Sequence, residues 1–116
     1  MTLEKFERKQ DLKAPAVTIR KRGAISFNAH AVRAFPIQDK QFAILHFDRE
    51  EKVIGIQPVT DRRDLSAFPI TAEKGRTPTI SCQPFLRHCG IAFKDGSKVY
   101  PAEWDAKRGM IILKLS

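Results

Sequence analysis

The sequence predicts a mostly β protein with short helices, an α+β chain built from two copies of one small β-α-β-β unit. Three observations carry that expectation. Val17 and Ile19 alternate with Thr18 and Arg20, and Ile25 and Phe27 resume the alternation around Ser26, the period-two signature of half-buried strands. A short helix follows, opened by Asn28, a good N-cap, and closed by Pro36. A looser version of the same order of strand, helix and hairpin returns near the C-terminus.

Residues 1–14 are polar apart from Leu3, Phe6 and Leu12, and Lys5, Arg8, Lys9 and Lys13 make them a basic arm. The first unit spans residues 15–59. Within it Lys21-Arg22-Gly23 reads as a turn in which glycine is free to take a positive φ. His30 to Phe35 form the helix, with Val32 and Phe35 toward a core and Arg33 away from it. Phe42 to Phe47 are apolar on both strand faces except at His46, which suits a strand covered on both sides. Asp48 to Lys52 make a polar loop, and Val53 to Gln57 return as a strand that Pro58 limits. A two-sided apolar hairpin in so small a unit needs a partner layer, from the second unit or from another subunit.

Residues 60–78 read as a connection, in which Leu65, Phe68 and Ile70 either add a strand or pack a loop and Glu73 to Arg76 turn. The second unit spans residues 79–116. Ile80-Ser81-Cys82 parallels Ile25-Ser26-Phe27, Gln83 takes the place of Asn28, and Pro84 suits the first helical position. Phe85, Leu86 and Cys89 are the expected buried side of this helix. After the Asp95-Gly96 turn, Lys98 to Trp104 form a strand interrupted by Pro101, and Met110 to Leu115 form its return. In both units the apolar return begins five residues after an aspartate: Val53 after Asp48, Met110 after Asp105.

At 116 residues the chain fits one compact domain, with roughly two-thirds of its unfolded surface buried on folding. Its 42% hydrophobic and 29% charged residues are those of a globular chain, not a disordered one. No apolar run reaches the ~20 residues that span a bilayer. The first residues carry no apolar signal segment, so a cytoplasmic protein is expected. Cys82 and Cys89 are seven apart. On one short helix they would lie roughly 10 Å apart, too far for a disulfide, so reduced thiols are expected.

The net charge is +8, and residues 1–36 supply +5 of it from eight basic and three acidic side chains. Such an excess around one turn and one helix is either a footprint for phosphates or a solubilising surface. Enzyme chemistry finds no support. His30, His46 and His88 lie on three different elements and complete no nucleophile motif. Cys82, His88 and Cys89 match no common zinc spacing, and neither a P-loop nor a dinucleotide glycine pattern is present. No metal and no cofactor is implied.

The run Gly23-Ala24-Ile25-Ser26-Phe27-Asn28-Ala29-His30-Ala31-Val32-Arg33-Ala34-Phe35-Pro36-Ile37 resembles the core of the AbrB-type, swapped-hairpin DNA-binding family. Gly23 matches that pattern's turn glycine, Arg33 its helix arginine and Ile37 its closing isoleucine, and the hairpin that follows also fits. Duplication within one chain is similar to the MraZ branch. Ala24 stands where the family usually has arginine, Asn28 replaces its proline and Pro36 its glycine. The resemblance covers residues 17–59 well and 73–116 loosely. It implies an AbrB-like barrel and double-stranded DNA binding by a transcriptional regulator, or by the DNA-binding part of a regulatory pair.

The residues support the same partner on separate grounds. A strand–turn–strand carrying Arg20, Lys21 and Arg22 presents cations on a rigid edge, and a two-stranded element or short helix can enter a major groove. Arg33 joins them as a candidate contact, with Arg76 and Arg87 as the corresponding positions of the second unit. Two other readings stand beside this one. One is a protein-interaction module, as a homodimer or with a protein partner. The other is a single-strand binder using Phe42, Phe47, Tyr100 and Trp104 as stacking platforms.

Overall fold

The computed structural model describes residues 2–3, 14–37, 40–60, 65–72 and 77–115. Its strands are β1 (Ala16–Arg20), β2 (Ala24–Phe27), β3 (Phe42–Asp48), β4 (Val53–Val59), β5 (Ala67–Thr71), β6 (Thr79–Ser81), β7 (Lys98–Asp105) and β8 (Met110–Lys114). Two helices, α1 (Ala29–Ala34) and α2 (Gln83–His88), follow β2 and β6. The strands pair antiparallel and close into a barrel in the order β1-β2-β6-β5-β3-β4-β8-β7. Closure pairs both sides of every strand and, among the described residues, leaves no open sheet edge.

An eight-stranded barrel has an interior just wide enough to be filled by side chains. Alternation along each strand supplies them. Val17, Ile19, Ile25, Phe27, Ile54, Ile56, Ile80, Ile111 and Leu113 point inward and are at most 2% exposed. Most are β-branched, which suits a pleated, packed surface. Ile25 lies opposite Ile80 where β2 meets β6, and Ile56 opposite Ile111 where β4 meets β8. These two seams lie on opposite sides of the ring.

The helices plug the barrel beside these strands. Asn28 Oδ1 accepts the Ala31 N–H at 2.8 Å and the Ala16 N–H at 3.1 Å, while its Nδ2 donates to the Ala14 carbonyl at 3.0 Å. One side chain therefore caps α1 and ties it to the chain entering β1. α2 has no side-chain cap, begins with Pro84 in its first turn, and buries Leu86 completely. Gly90, at φ 71°, stops it.

One open alternative closes and two expectations change. Residues 67–71 of the expected connection form β5, which pairs with both β3 and β6 and so completes the ring. β4 runs one residue past Pro58. β7 is continuous through Pro101, which lies opposite Ala16, the first residue of β1, where a missing N–H disturbs little. Residues 1 and 4–13 of the expected basic arm at 1–14, and the turn from Glu73 to Arg76, lie outside the described residues. Among the described residues no helix is long and apolar enough to cross a membrane.

Candidate nucleic-acid interface

Arg20 ends β1 and Ala24 opens β2. Between them the Gly23 N–H donates to the Arg20 carbonyl at 2.9 Å, and Gly23 takes φ 87°. This is a three-residue hairpin loop closed by a left-handed glycine. Its flanks are anchored. The Cys82 N–H donates to the Gly23 carbonyl at 3.0 Å, and the Lys21 N–H donates to Ser97 Oγ at 3.2 Å. A Cβ at Gly23 would stand 2.7 Å from Gln83 Cβ, so the loop rests directly on the start of α2. The backbone is thus clamped while the side chains of Arg20, Lys21 and Arg22 stay exposed.

Arg20 does not swing freely from its strand, because its Nε donates to Ser26 Oγ at 3.1 Å. Ser26 Oγ lies 3.4 Å from Thr79 Oγ1, and Thr71 Oγ1 donates to the Thr79 carbonyl at 3.2 Å. The ladder pairs Thr18 with Ser26, Ser26 with Thr79 and Thr79 with Thr71. Four hydroxyl residues therefore cross β1, β2, β6 and β5 in one line on the outside of the barrel. Sequence reading missed this row. Its signal is the small polar residue between apolar neighbours in Val17-Thr18-Ile19 and Ile25-Ser26-Phe27, and the hydroxyl residue beside Ile80 in Thr79-Ile80-Ser81, but only the register aligns them.

The candidate cations divide between the two ends of the β2–β6 pair. Arg20, Lys21 and Arg22 lie at the end where Ala24 pairs with Ser81 and α2 begins. Arg87, exposed in the last turn of α2, comes one helical turn after Gln83 and so lies along the same stripe of that helix. Arg33 is elsewhere. It sits on α1, beyond the far end of β2, with its Nη2 2.9 Å from His30 Nδ1. At that end the Phe27 N–H donates to the Pro78 carbonyl at 3.2 Å, which brings the β5–β6 connection alongside. Arg76 belongs to that connection but lies outside the described residues.

Arg49, another cation the sequence did not single out, has a structural task. Its Nη2 donates to the His88 carbonyl at 3.2 Å, and its guanidinium lies 5.5 Å from the centre of the Phe47 ring. It fastens the β3–β4 loop to the C-terminal end of α2, where a cation is favoured.

The two thiols are free and buried. Cys82 precedes α2 and Cys89 follows it. Burial pushes the Cys82 thiol up to about 12, with the neighbouring Cys89 acting in the same direction, and burial also raises Cys89. Neither is a ready nucleophile or ligand. Among the described residues no group of three or more His, Cys, Asp or Glu side chains is arranged to hold a metal ion. Comparison of the chain with protein-family models, with curated proteins and with solved structures returned no match.

Proposed function

We propose that the protein binds double-stranded DNA through the outer face of β1, β2, β6 and β5, as a small transcriptional regulator or the DNA-binding part of a regulatory pair. The observation that carries this is the clamped loop. Three consecutive cations sit on a backbone fixed from both sides, so they meet a phosphate row without first losing the freedom of a floppy loop. Lysine there neutralises phosphate, while arginine can also fork onto guanine. The hydroxyl row between the two cationic ends braces the face: Ser26 is buried and holds Arg20, and the Thr71 and Thr79 hydroxyls donate to the Thr79 and Thr77 carbonyls. The ends are separated by the four residues of β2, about 13 Å of strand. That is close to the ~12 Å width of a major groove.

We further propose that the chain is a duplicated, AbrB-type swapped-hairpin unit. Exchanging β1–β4 with β5–β8 leaves the order of the ring unchanged. The registers exchange as well: Ile56–Ile111 becomes Leu113–Ile54, and Asp48–Val53 becomes Asp105–Met110. Drawn this way, the second unit begins at β5. The single-strand reading is the weaker one, because Phe47 and Tyr100 pack on the core and Trp104 stacks on Phe35 with ring centroids 6.3 Å apart.

The test is fluorescence anisotropy with a mixed-sequence duplex across a salt series, with a single strand as competitor. We expect a steep fall of log K with log salt and a preference for duplex. Lys21→Glu with Arg22→Glu should reduce affinity sharply without lowering the melting temperature. No binding at low salt by the wild-type protein removes the proposal.

A further inference from the structure

The opposite side of the barrel carries the other unexplained surface. On β3, β4, β8 and β7 the inward positions fill the core, yet outward positions such as Ile44, Val53, Met110 and Ile112 are also apolar and only half-buried. Val53, Met110 and Ile112 border an open groove of about 760 Å³ between the two hairpins, together with His46, Gly55 and Glu103. We propose that this face joins two copies of the chain, stacked face to face about a two-fold axis parallel to the strands and centred on the β4–β8 seam.

The choice of a second copy rests on one row of side chains. The ladder sets His46 opposite Gly55, Gly55 opposite Ile112 and Ile112 opposite Glu103. These four residues form a line across all four strands, spanning three strand spacings or about 14 Å. A base stands at one end, a carboxylate at the other, and the middle holds a bulky apolar side chain beside a residue with none. A half-turn about the proposed axis reverses the row. His46 of one copy then meets Glu103 of the other, twice over, and each Ile112 meets the gap at the other copy's Gly55. The row is complementary to itself in both charge and shape, which is what an isologous interface requires.

His46 Nε2 donates to Gln57 Oε1 at 3.1 Å, which fixes the ring, and in the imidazolium form Nδ1–H is left to donate to the opposing carboxylate. Met110 Sδ lies 3.0 Å from the place of an absent Cβ on Gly55, and a thioether is flexible enough to yield to an entering isoleucine. Four strands of this length offer a patch of about 20 by 20 Å, smaller than the ~800 Å² per partner of a standard interface. A patch of that size fits a weak, reversible dimer rather than an obligate one. It is independent of the DNA reading, since the hydroxyl face lies on the other side of the ring.

Sedimentation velocity on the full chain without DNA, over a concentration series through the micromolar range, tests it. We expect a monomer–dimer equilibrium. Ile112→Lys should leave a folded monomer at every concentration, because residue 112 points away from the core. Glu103→Lys should weaken association on the order of tenfold or more by setting a lysine against His46. His46→Glu combined with Glu103→Lys should restore it. A wild-type protein that stays monomeric throughout overturns the proposal. So does association indifferent to Glu103→Lys, or a folded double variant that fails to recover.

Discussion

Lys52 and Gly109 hold the same place in two hairpin loops of one design, both in the left-handed region, at φ 57° and 65°. Each loop opens with an aspartate that accepts two backbone N–H groups: Asp48 from Glu50 and Glu51, Asp105 from Lys107 and Arg108. The Arg108 guanidinium, 2.8 Å from Asp105 Oδ2, helps hold that carboxyl below its ordinary range. The loops differ at their last residue, where only one has glycine. A side chain there costs about 1 kcal/mol. We expect Lys52→Gly to raise stability by up to about 1 kcal/mol and Gly109→Lys to lower it similarly. Urea melts of the two variants would show this, and equal midpoints would count against a shared loop geometry.

Gly23 answers to two constraints at once, a φ of 87° and a Cβ position 2.7 Å from Gln83 Cβ. Its alanine variant must strain the backbone and push α2 away. We expect Gly23→Ala to cost roughly 2 kcal/mol, above the loss from a positive φ alone. Because the displaced loop carries Lys21 and Arg22, duplex affinity should fall even at temperatures where the variant is fully folded. A variant that loses stability and keeps full affinity would separate the clamp from binding.

How much of this was legible beforehand follows from which forces act locally. The strands 17–20 and 24–27, the turn glycine and the Asn28 cap were readable, because period-two alternation, a positive φ and an N-cap are decided within a few residues. β5 was readable only as one of two alternatives, a strand or a packed loop, because Ala67-Phe68-Pro69-Ile70-Thr71 is short, contains proline, and becomes a strand only by pairing with β3 and β6. For the same reason sequence reading grouped Arg33 with Arg20, Lys21 and Arg22. The barrel puts α1 at the far end of β2, a fact of register that no local pattern encodes. The two-sided apolar character of residues 42–47 was legible as a demand for a second layer, but the barrel interior meets only the inward half of it.

Asn28 makes three hydrogen bonds with one side chain, joining α1, β1 and the residue before Pro15. Asn28→Ala removes the cap and both ties, and we expect a loss of about 1–2 kcal/mol, the upper part of the range for an N-cap. Asn28→Asp keeps both acceptor bonds and loses only the donation to the Ala14 carbonyl, so it should recover most of that loss. Guanidinium unfolding of the pair decides the matter. Equal destabilisation by alanine and aspartate would mean that the amide donor, not the cap, holds this corner.

Cys82 gives the protein an alkaline liability whose sign can be worked out. Its ordinary value of 9.0 is pushed up to about 12 in the native state, mainly by burial. Below about pH 9 the thiol is protonated in both states and contributes no pH dependence. Between about pH 9 and pH 12 the unfolded chain releases this proton while the native state keeps it, so stability falls as pH rises, by about 1.4 kcal/mol per pH unit. Cys89, also raised, adds to the fall. The contribution of this thiol is isolated by comparison with Cys82→Ala. That variant starts lower at neutral pH, having lost a buried sulfur, but its stability should decline less steeply from about pH 9 to about pH 11. Parallel decline of the two proteins would show that Cys82 ionises as easily folded as unfolded. Alkylation offers a second readout. At mildly alkaline pH Cys82 should resist iodoacetamide until denaturant is added, since the thiolate is the reacting form and the native site disfavours it.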